Sequence, residues 1–279
     1  MNNTSSNLKS VKWLNEHLSD TKLIILDASM VKMPNGTLIP PATSYISGAK
    51  IFNYDTEICD QSSDFPHMMP SEKEFQSAVQ SLGVNNDSMI VIYDRIGIFA
   101  SPRAWWMFKT MGHQDVFVLD GGYPKWLEAG HATETNFSTS NSKGDFCAKL
   151  DKRKIVKQKD IRENIDKQSR PLIDARSLAR FHAKEPEPRP GLAGGHIPNS
   201  VCLPFTELLD AGLMKNPQQL SEIFATRSSD QKLIFSCGSG VTACILALGA
   251  SECGIENYSV YDGSWTEWAL DESTPSVKK

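Results

Sequence analysis

The sequence predicts an α/β protein built from two tandem domains, each an open parallel sheet flanked by helices. Three observations carry that prediction. The chain has 279 residues, too many for one small core and enough for two compact ones. Short runs rich in Ile, Val and Leu alternate with longer helical patterns, as parallel strands joined by crossover helices require. Four segments of the first half also recur, in order, in the second, which marks one unit used twice.

Taken along the chain, the first matched pair is Leu23-Ile24-Ile25-Leu26-Asp27-Ala28-Ser29 with Pro171-Leu172-Ile173-Asp174-Ala175-Arg176-Ser177, each an apolar run that ends in Asp-Ala at a strand exit. Residues 45–49 match 196–200 in the same way. Ser71 starts a helix as its N-cap, with Glu74 at the third helical position completing a capping box, and Gly83 fits the C-terminal cap. Met89-Ile90-Val91-Ile92-Tyr93-Asp94 then matches Lys232-Leu233-Ile234-Phe235-Ser236-Cys237, and Asp120-Gly121-Gly122-Tyr123-Pro124-Lys125-Trp126 matches Asp262-Gly263-Ser264-Trp265-Thr266-Glu267-Trp268. Between Asn136 and Lys152 the chain is rich in Ser, Asn and Lys and poor in apolar residues, the composition of an interdomain linker. The expected division is a first domain over 1–138, a linker over 139–154 and a second domain over 155–279.

Composition excludes several classes of function. Apolar residues at 40% and charged residues at 22% are ordinary for a soluble globular protein. A net charge of -4 offers no general attraction for nucleic acid or anionic lipid. The longest apolar runs, such as residues 89–93, fall far short of the roughly 20 needed to span a bilayer. Residues 1–6 are polar, with neither a cationic start nor an apolar stretch behind it, so a cytoplasmic protein is expected. The six cysteines include no Cys-x-x-Cys pair that would clasp zinc or run dithiol chemistry. Disulfides are not expected in a reducing compartment, and five of the six read as small core hydrophobes. No metal or other cofactor is expected.

Cys237 is the exception. It follows a strand-like run and precedes Ala243-Cys244-Ile245-Leu246-Ala247-Leu248, a segment of good helix formers. Gly238 and Gly240 let the backbone curl so that N–H groups converge near the sulfur, at the positive end of the next helix. A helix N-terminus favours the thiolate, which is the working nucleophile. The first-domain counterpart of Cys237 is Asp94, so that loop has no thiol and the domain is expected to lack a catalytic cysteine.

The segment Cys237-Gly238-Ser239-Gly240-Val241-Thr242, lying after a buried strand in the second of two similar domains, resembles the mercaptopyruvate sulfurtransferases of the rhodanese superfamily. The resemblance runs over almost the whole chain, through His67-Met68-Met69-Pro70, residues 101–107, Glu187-Pro188-Arg189-Pro190-Gly191, Gly195-His196-Ile197-Pro198 and residues 261–265. It implies a cysteine persulfide on Cys237, with Gly238, Gly240, Val241 and Thr242 shaping the substrate loop. A related cysteine phosphatase would need an arginine at position 243, which is alanine. Thiosulfate-preferring rhodaneses carry cationic residues directly after the cysteine, where this chain has Gly238 and Ser239.

A 3-mercaptopyruvate carboxylate calls for a planar bidentate donor, and Arg180 and Arg189 resemble the family's substrate-binding positions. Arg176, following Asp-Ala, fits pairing with nearby carboxylates instead. The resemblance further implies that Ser239 works with a histidine and a carboxylate from the first domain. His67 matches the histidine; Asp55 and Glu57 compete for the acid, with Asp55 favoured. Trp105, Trp106, Trp265 and Trp268 read as packing. As sulfur acceptors the family implies thioredoxin, small thiols or cyanide. Two other functions share the fold: a thiosulfate:cyanide sulfurtransferase, and a non-catalytic relay module that takes persulfide from a partner.

Overall fold

The computed structural model describes residues 6–33, 35–227 and 232–278. The polar start of the chain, up to Ser5, lies outside them. Each half forms a five-stranded sheet in which every pairing is parallel. The first contains Leu8–Lys9, Leu23–Asp27, Lys50–Ile51, Met89–Tyr93 and Val116–Leu119; the second contains Ile155–Val156, Leu172–Asp174, Ser200–Cys202, Leu233–Ser236 and Tyr258–Tyr261. In both, the spatial order by chain position is first, fifth, fourth, second, third. The repeat seen in the residues is therefore a repeat of topology. Residues 45–49 differ slightly from expectation, because Tyr45–Ile46 pairs antiparallel with Thr133–Glu134 outside the sheet and the sheet strand begins at Lys50.

Local signals behave as their chemistry requires. Ser71 Oγ accepts from the Glu74 N–H and the Glu74 carboxylate accepts from the Ser71 N–H, so the capping box on Glu72–Ser81 is complete. Gly83 follows at φ +79°, the left-handed turn that glycine adopts without a Cβ penalty.

Two helices, Ser101–Thr110 and Ala243–Glu252, follow the central strands of their sheets and pack on each other between the halves. All but Lys109 of the first and all but Glu252 of the second are buried. Ala243–Glu252 is apolar on nearly every side, as a helix inside a core should be, and one hydrophobic cluster runs through both halves. The tryptophans read as packing are buried there and under the sheets.

The linker is not a loose tether. Residues 135–151 have no helix or strand, yet the backbone N–H groups of Gly144, Ala148 and Leu150 donate to Gln80 O, Gln76 Oε1 and Glu72 Oε1 at 2.8, 3.0 and 2.7 Å. Phe146 is 2% exposed and meets Phe75, Phe108 and His113 edge to face. The segment is a strap sewn to helix Glu72–Ser81. Cys147 corrects one expectation: it is exposed rather than a core hydrophobe, because its neighbour Phe146 takes the inward position. Truncating Phe146 to alanine should cost about 3 to 5 kcal/mol in urea unfolding of the intact chain, whereas a passive linker would leave the midpoint unchanged.

Candidate active site

Cys237 stands where Leu233–Ser236 gives way to the loop before helix Ala243–Glu252. Gly240 turns the loop at φ +75°, and a Cβ there would meet the Asp262 carbonyl at 2.6 Å. Only glycine fits that approach. Cys237 is buried but reaches a cleft of about 400 Å³ between the two halves. Gly238, Ser239, Val241, Thr242, Arg180 and Arg189 share the cleft, and the first domain adds Met30, Met33 and Phe99. Gly240 stands behind the loop instead, outside the lining.

One part of the N–H cradle is engaged by a residue the sequence did not single out. Ser264 Oγ accepts from the N–H of Cys237 at 3.1 Å and of Gly240 at 3.2 Å, and donates to Tyr261 O at 2.7 Å. The same oxygen lies 4.0 Å from Cys237 Sγ. Ser264 holds φ +51° while fully buried, a strained conformation for a non-glycine residue that its three hydrogen bonds stabilise. A polar residue at a matched repeat position was the available signal.

The arginines separate into two roles. Arg176 is buried, paired with Asp174 at 2.7 Å, with Glu187 at 2.7 Å and with Gly195 O at 2.9 Å. It pairs with carboxylates, as its place after Asp-Ala suggested. Glu187 then passes its other oxygen to Arg180 at 2.6 Å. Arg180 and Arg189 both keep faces on the cleft. Burial lowers the Arg189 pKa, against the pull of Cys237. At Gly238 a Cβ would come 3.0 Å from Arg180 Nη2, so a side chain there would crowd the guanidinium.

Asp55 and Glu57 are distinguished by geometry. Asp55 Oδ1 lies 3.0 Å from His67 Nδ1, an ion-pair distance with the N–H off the straight line to the carboxylate. Glu57 accepts from Asn53 instead, at 2.9 Å. Arg189 Nη2 is 3.2 Å from His67 Nε2. Guanidinium nitrogens only donate, so Nε2 accepts and the ring proton belongs on Nδ1, facing Asp55. Burial lowers the His67 pKa, against the raising effect of Asp55. The ring is thus neutral near pH 7; it lies outside the cleft lining and meets the cleft only through Arg189. Among the described residues no hydrogen bond joins it to Ser239; the neighbour of Nε2 is Arg189.

What holds His67 beside a loop of the other domain is Arg103, fully buried on helix Ser101–Thr110. Its Nη1 donates to Asp262 Oδ1 at 2.6 Å and to Gly240 O at 3.3 Å, while Nη2 donates to the carbonyl of His67. Asp262 Oδ2 accepts in turn from the Met69 N–H at 2.7 Å. The arrangement has a counterpart, since Asp120, matched to Asp262 in the repeat, accepts from the Met214 N–H of the second half at 2.9 Å.

The first-domain loop keeps its cradle but fills it from within. Asp94 Oδ2 accepts from the N–H groups of Phe99, Ala100 and Ser101 and from Ser101 Oγ, all at 2.8 to 3.0 Å. The Asp94 carboxylate stands at the chain position that Cys237 holds in the second domain.

Two outcomes follow. Asp262→Asn keeps the shape but leaves Arg103 as a buried unpaired charge, and should cost about 3 to 5 kcal/mol of stability in denaturant unfolding. The second concerns pH. His67 has a folded pKa below its ordinary value, so its contribution to stability is present above the unfolded pKa and is lost as pH falls through the folded one. Thermal unfolding from pH 7 down to pH 5 should therefore lower the wild-type midpoint more than that of His67→Gln; parallel curves would contradict the burial argument.

The family model for the rhodanese-like domain matches residues 10–129 and again 157–271. The chain is 40% identical over 274 residues to the rat 3-mercaptopyruvate sulfurtransferase, covering 94% of this chain and 92% of that protein. It is 37% identical over 299 residues to thiosulfate/3-mercaptopyruvate sulfurtransferase 2 of Arabidopsis thaliana, covering 98% and 87%. Among solved structures, SseA of Escherichia coli, described as a 3-mercaptopyruvate sulfurtransferase with the rhodanese fold, superposes with a TM-score of 0.80 at 32% identity, over 94% of this chain and 99% of that one. With two matched domains, two matching sheets and a cysteine loop at the second switch from strand to helix, this chain belongs to the rhodanese family.

Proposed function

We propose that the protein transfers sulfur from 3-mercaptopyruvate, through a persulfide on Cys237, to a thiol, thioredoxin or cyanide acceptor, and releases pyruvate. The observation that carries this reading is the placement of Arg180 and Arg189 on the same cleft as Cys237, next to the uncharged Gly238 and Ser239. Two guanidinium groups suit one carboxylate beside a ketone. The similarity to the rat and plant enzymes, named for this donor, supports it.

In this reading the Cys237 thiolate attacks the donor thiol sulfur. A bond forms between the two sulfurs, and the carbon–sulfur bond of the donor breaks. Its electron pair leaves as the enolate of pyruvate, and the proton from the transferred sulfur ends on that carbon, leaving a Cys237 persulfide anion. Developing charge meets the N–H groups of the loop and the N-terminus of Ala243–Glu252. Ser239 lines the cleft with Cys237, and His67, neutral and backed by Asp55, can accept a proton at Nε2 once the Arg189 guanidinium turns to the substrate. Gly238, Val241 and Thr242 shape the wall, while Gly240 sets the turn behind it. The proposed division into domains over 1–138 and 155–279 places His67 and Asp55 on one and Cys237 on the other. No described helix is long and apolar enough to cross a membrane, and a reducing, cytoplasmic setting suits a reaction that needs free thiols.

Cys237→Ser should reduce pyruvate formation from 3-mercaptopyruvate to background in a coupled assay; persistence would overturn the role of the cysteine. Arg189→Lys, which loses the planar fork, should raise KM for the donor by about 10-fold to 100-fold, the weight of one hydrogen bond to a charged group. Faster transfer from thiosulfate than from 3-mercaptopyruvate in wild type would favour the thiosulfate-directed reading.

A further inference from the structure

The cleft is larger than its donor and is lined by two chemically different sets of residues. Arg180, Arg189 and Ser239 of the second half line it with Cys237; Met30, Met33 and Phe99 of the first half line it with Phe205 and Val241 of the second, and Asn35 and Thr37 add two polar groups to the first half's share. Phe99 and Phe205 meet edge to face with ring centroids 5.8 Å apart, so this wall is assembled across the domain interface. 3-Mercaptopyruvate is small, polar and anionic, and nothing in it calls for thioethers and phenyl rings. Even at the ~30 Å³ that a water molecule takes for each heavy atom, it fills no more than about 200 Å³. About half of the roughly 400 Å³ cleft is left over.

We infer that the apolar wall is the acceptor subsite, and that it selects thiols carrying an apolar substituent of several carbons. This rests on the reading in which Cys237 carries sulfur as a persulfide. The acceptor thiolate must attack the outer sulfur from the side opposite Cys237 Sγ, which means from within the cleft. A bond forms between acceptor sulfur and outer sulfur while the Cys237 sulfur–sulfur bond breaks. The electron pair returns to Cys237 Sγ as the resting thiolate, and the acceptor leaves as its own persulfide. The acceptor's substituent then lies along the methionines, whose flexible, polarisable side chains adapt to different shapes, and along the Phe99–Phe205 pair.

The test uses the intact chain with saturating 3-mercaptopyruvate and a series of straight alkanethiols from ethanethiol to pentanethiol, whose thiols are equally nucleophilic. Each rate is divided by the same protein's rate with cyanide, which has no apolar part. For wild type, kcat/KM for the acceptor should rise about twofold to fourfold per added methylene. Phe99→Ser and Met33→Ser, both at partly exposed positions or at the cleft rim, should each flatten that slope. A flat series in wild type, or a slope that neither variant changes, would overturn the subsite. Absence of pyruvate with every acceptor would instead count against the donor reading, and the same series run with thiosulfate as donor still measures the slope, so the two failures are separable.

Discussion

The site depends on one buried ion pair that crosses the domain interface. Arg103 and Asp262 come from opposite halves, and each is almost completely withdrawn from water. Desolvating two charges costs several kcal/mol per ion, so such a pair persists only where its remaining donors and acceptors are also satisfied. Here they largely are. The guanidinium reaches the carbonyls of Gly240 and His67, and the carboxylate takes the Met69 N–H. The pair thereby fixes the turn of the sulfur-carrying loop and the segment bearing the histidine in one frame. Interdigitated apolar helices hold the halves together, but they would tolerate small shifts; directional hydrogen bonds set the register.

Duplication explains how a two-sided cleft arises from one fold. Both halves place a loop and a helix N-terminus at the end of the fourth strand in chain order. In the second half the N–H groups of Cys237 and Gly240 donate to Ser264; in the first the loop N–H groups close on Asp94, which occupies the donors itself. The first-domain loop carries Asp94 at the position of Cys237, and other first-domain segments reach its twin: His67, paired with Asp55, meets Arg189, while Met30, Met33 and Phe99 line the cleft. The matched aspartates 120 and 262 each accept a backbone N–H from the other half, so the contact between the domains is itself duplicated.

Much of this was legible because it is local. The Ser71–Glu74 capping box, the Asp-Ala strand exits and the strand-to-helix switch at Cys237 are set by residues within a few positions of one another. The place of Arg176 was legible for the same reason, since Asp174 is two residues away. The choice between Asp55 and Glu57 was not, because it turns on a backbone bend that sends Glu57 to Asn53. Arg103 and Asp262 are 159 residues apart, and no pattern within either segment points to the other. At 135–151 composition marks a linker but says nothing of its packing: Phe146 is buried, and the backbone N–H groups of Gly144, Ala148 and Leu150 donate to helix Glu72–Ser81.

The most direct test of the account is peptide mass spectrometry of the intact protein after a single exposure to 3-mercaptopyruvate with no acceptor present. The account predicts a gain of one sulfur atom on the peptide containing Cys237, with pyruvate released in equal amount. An unmodified Cys237 peptide, or sulfur found on a different cysteine, would contradict it.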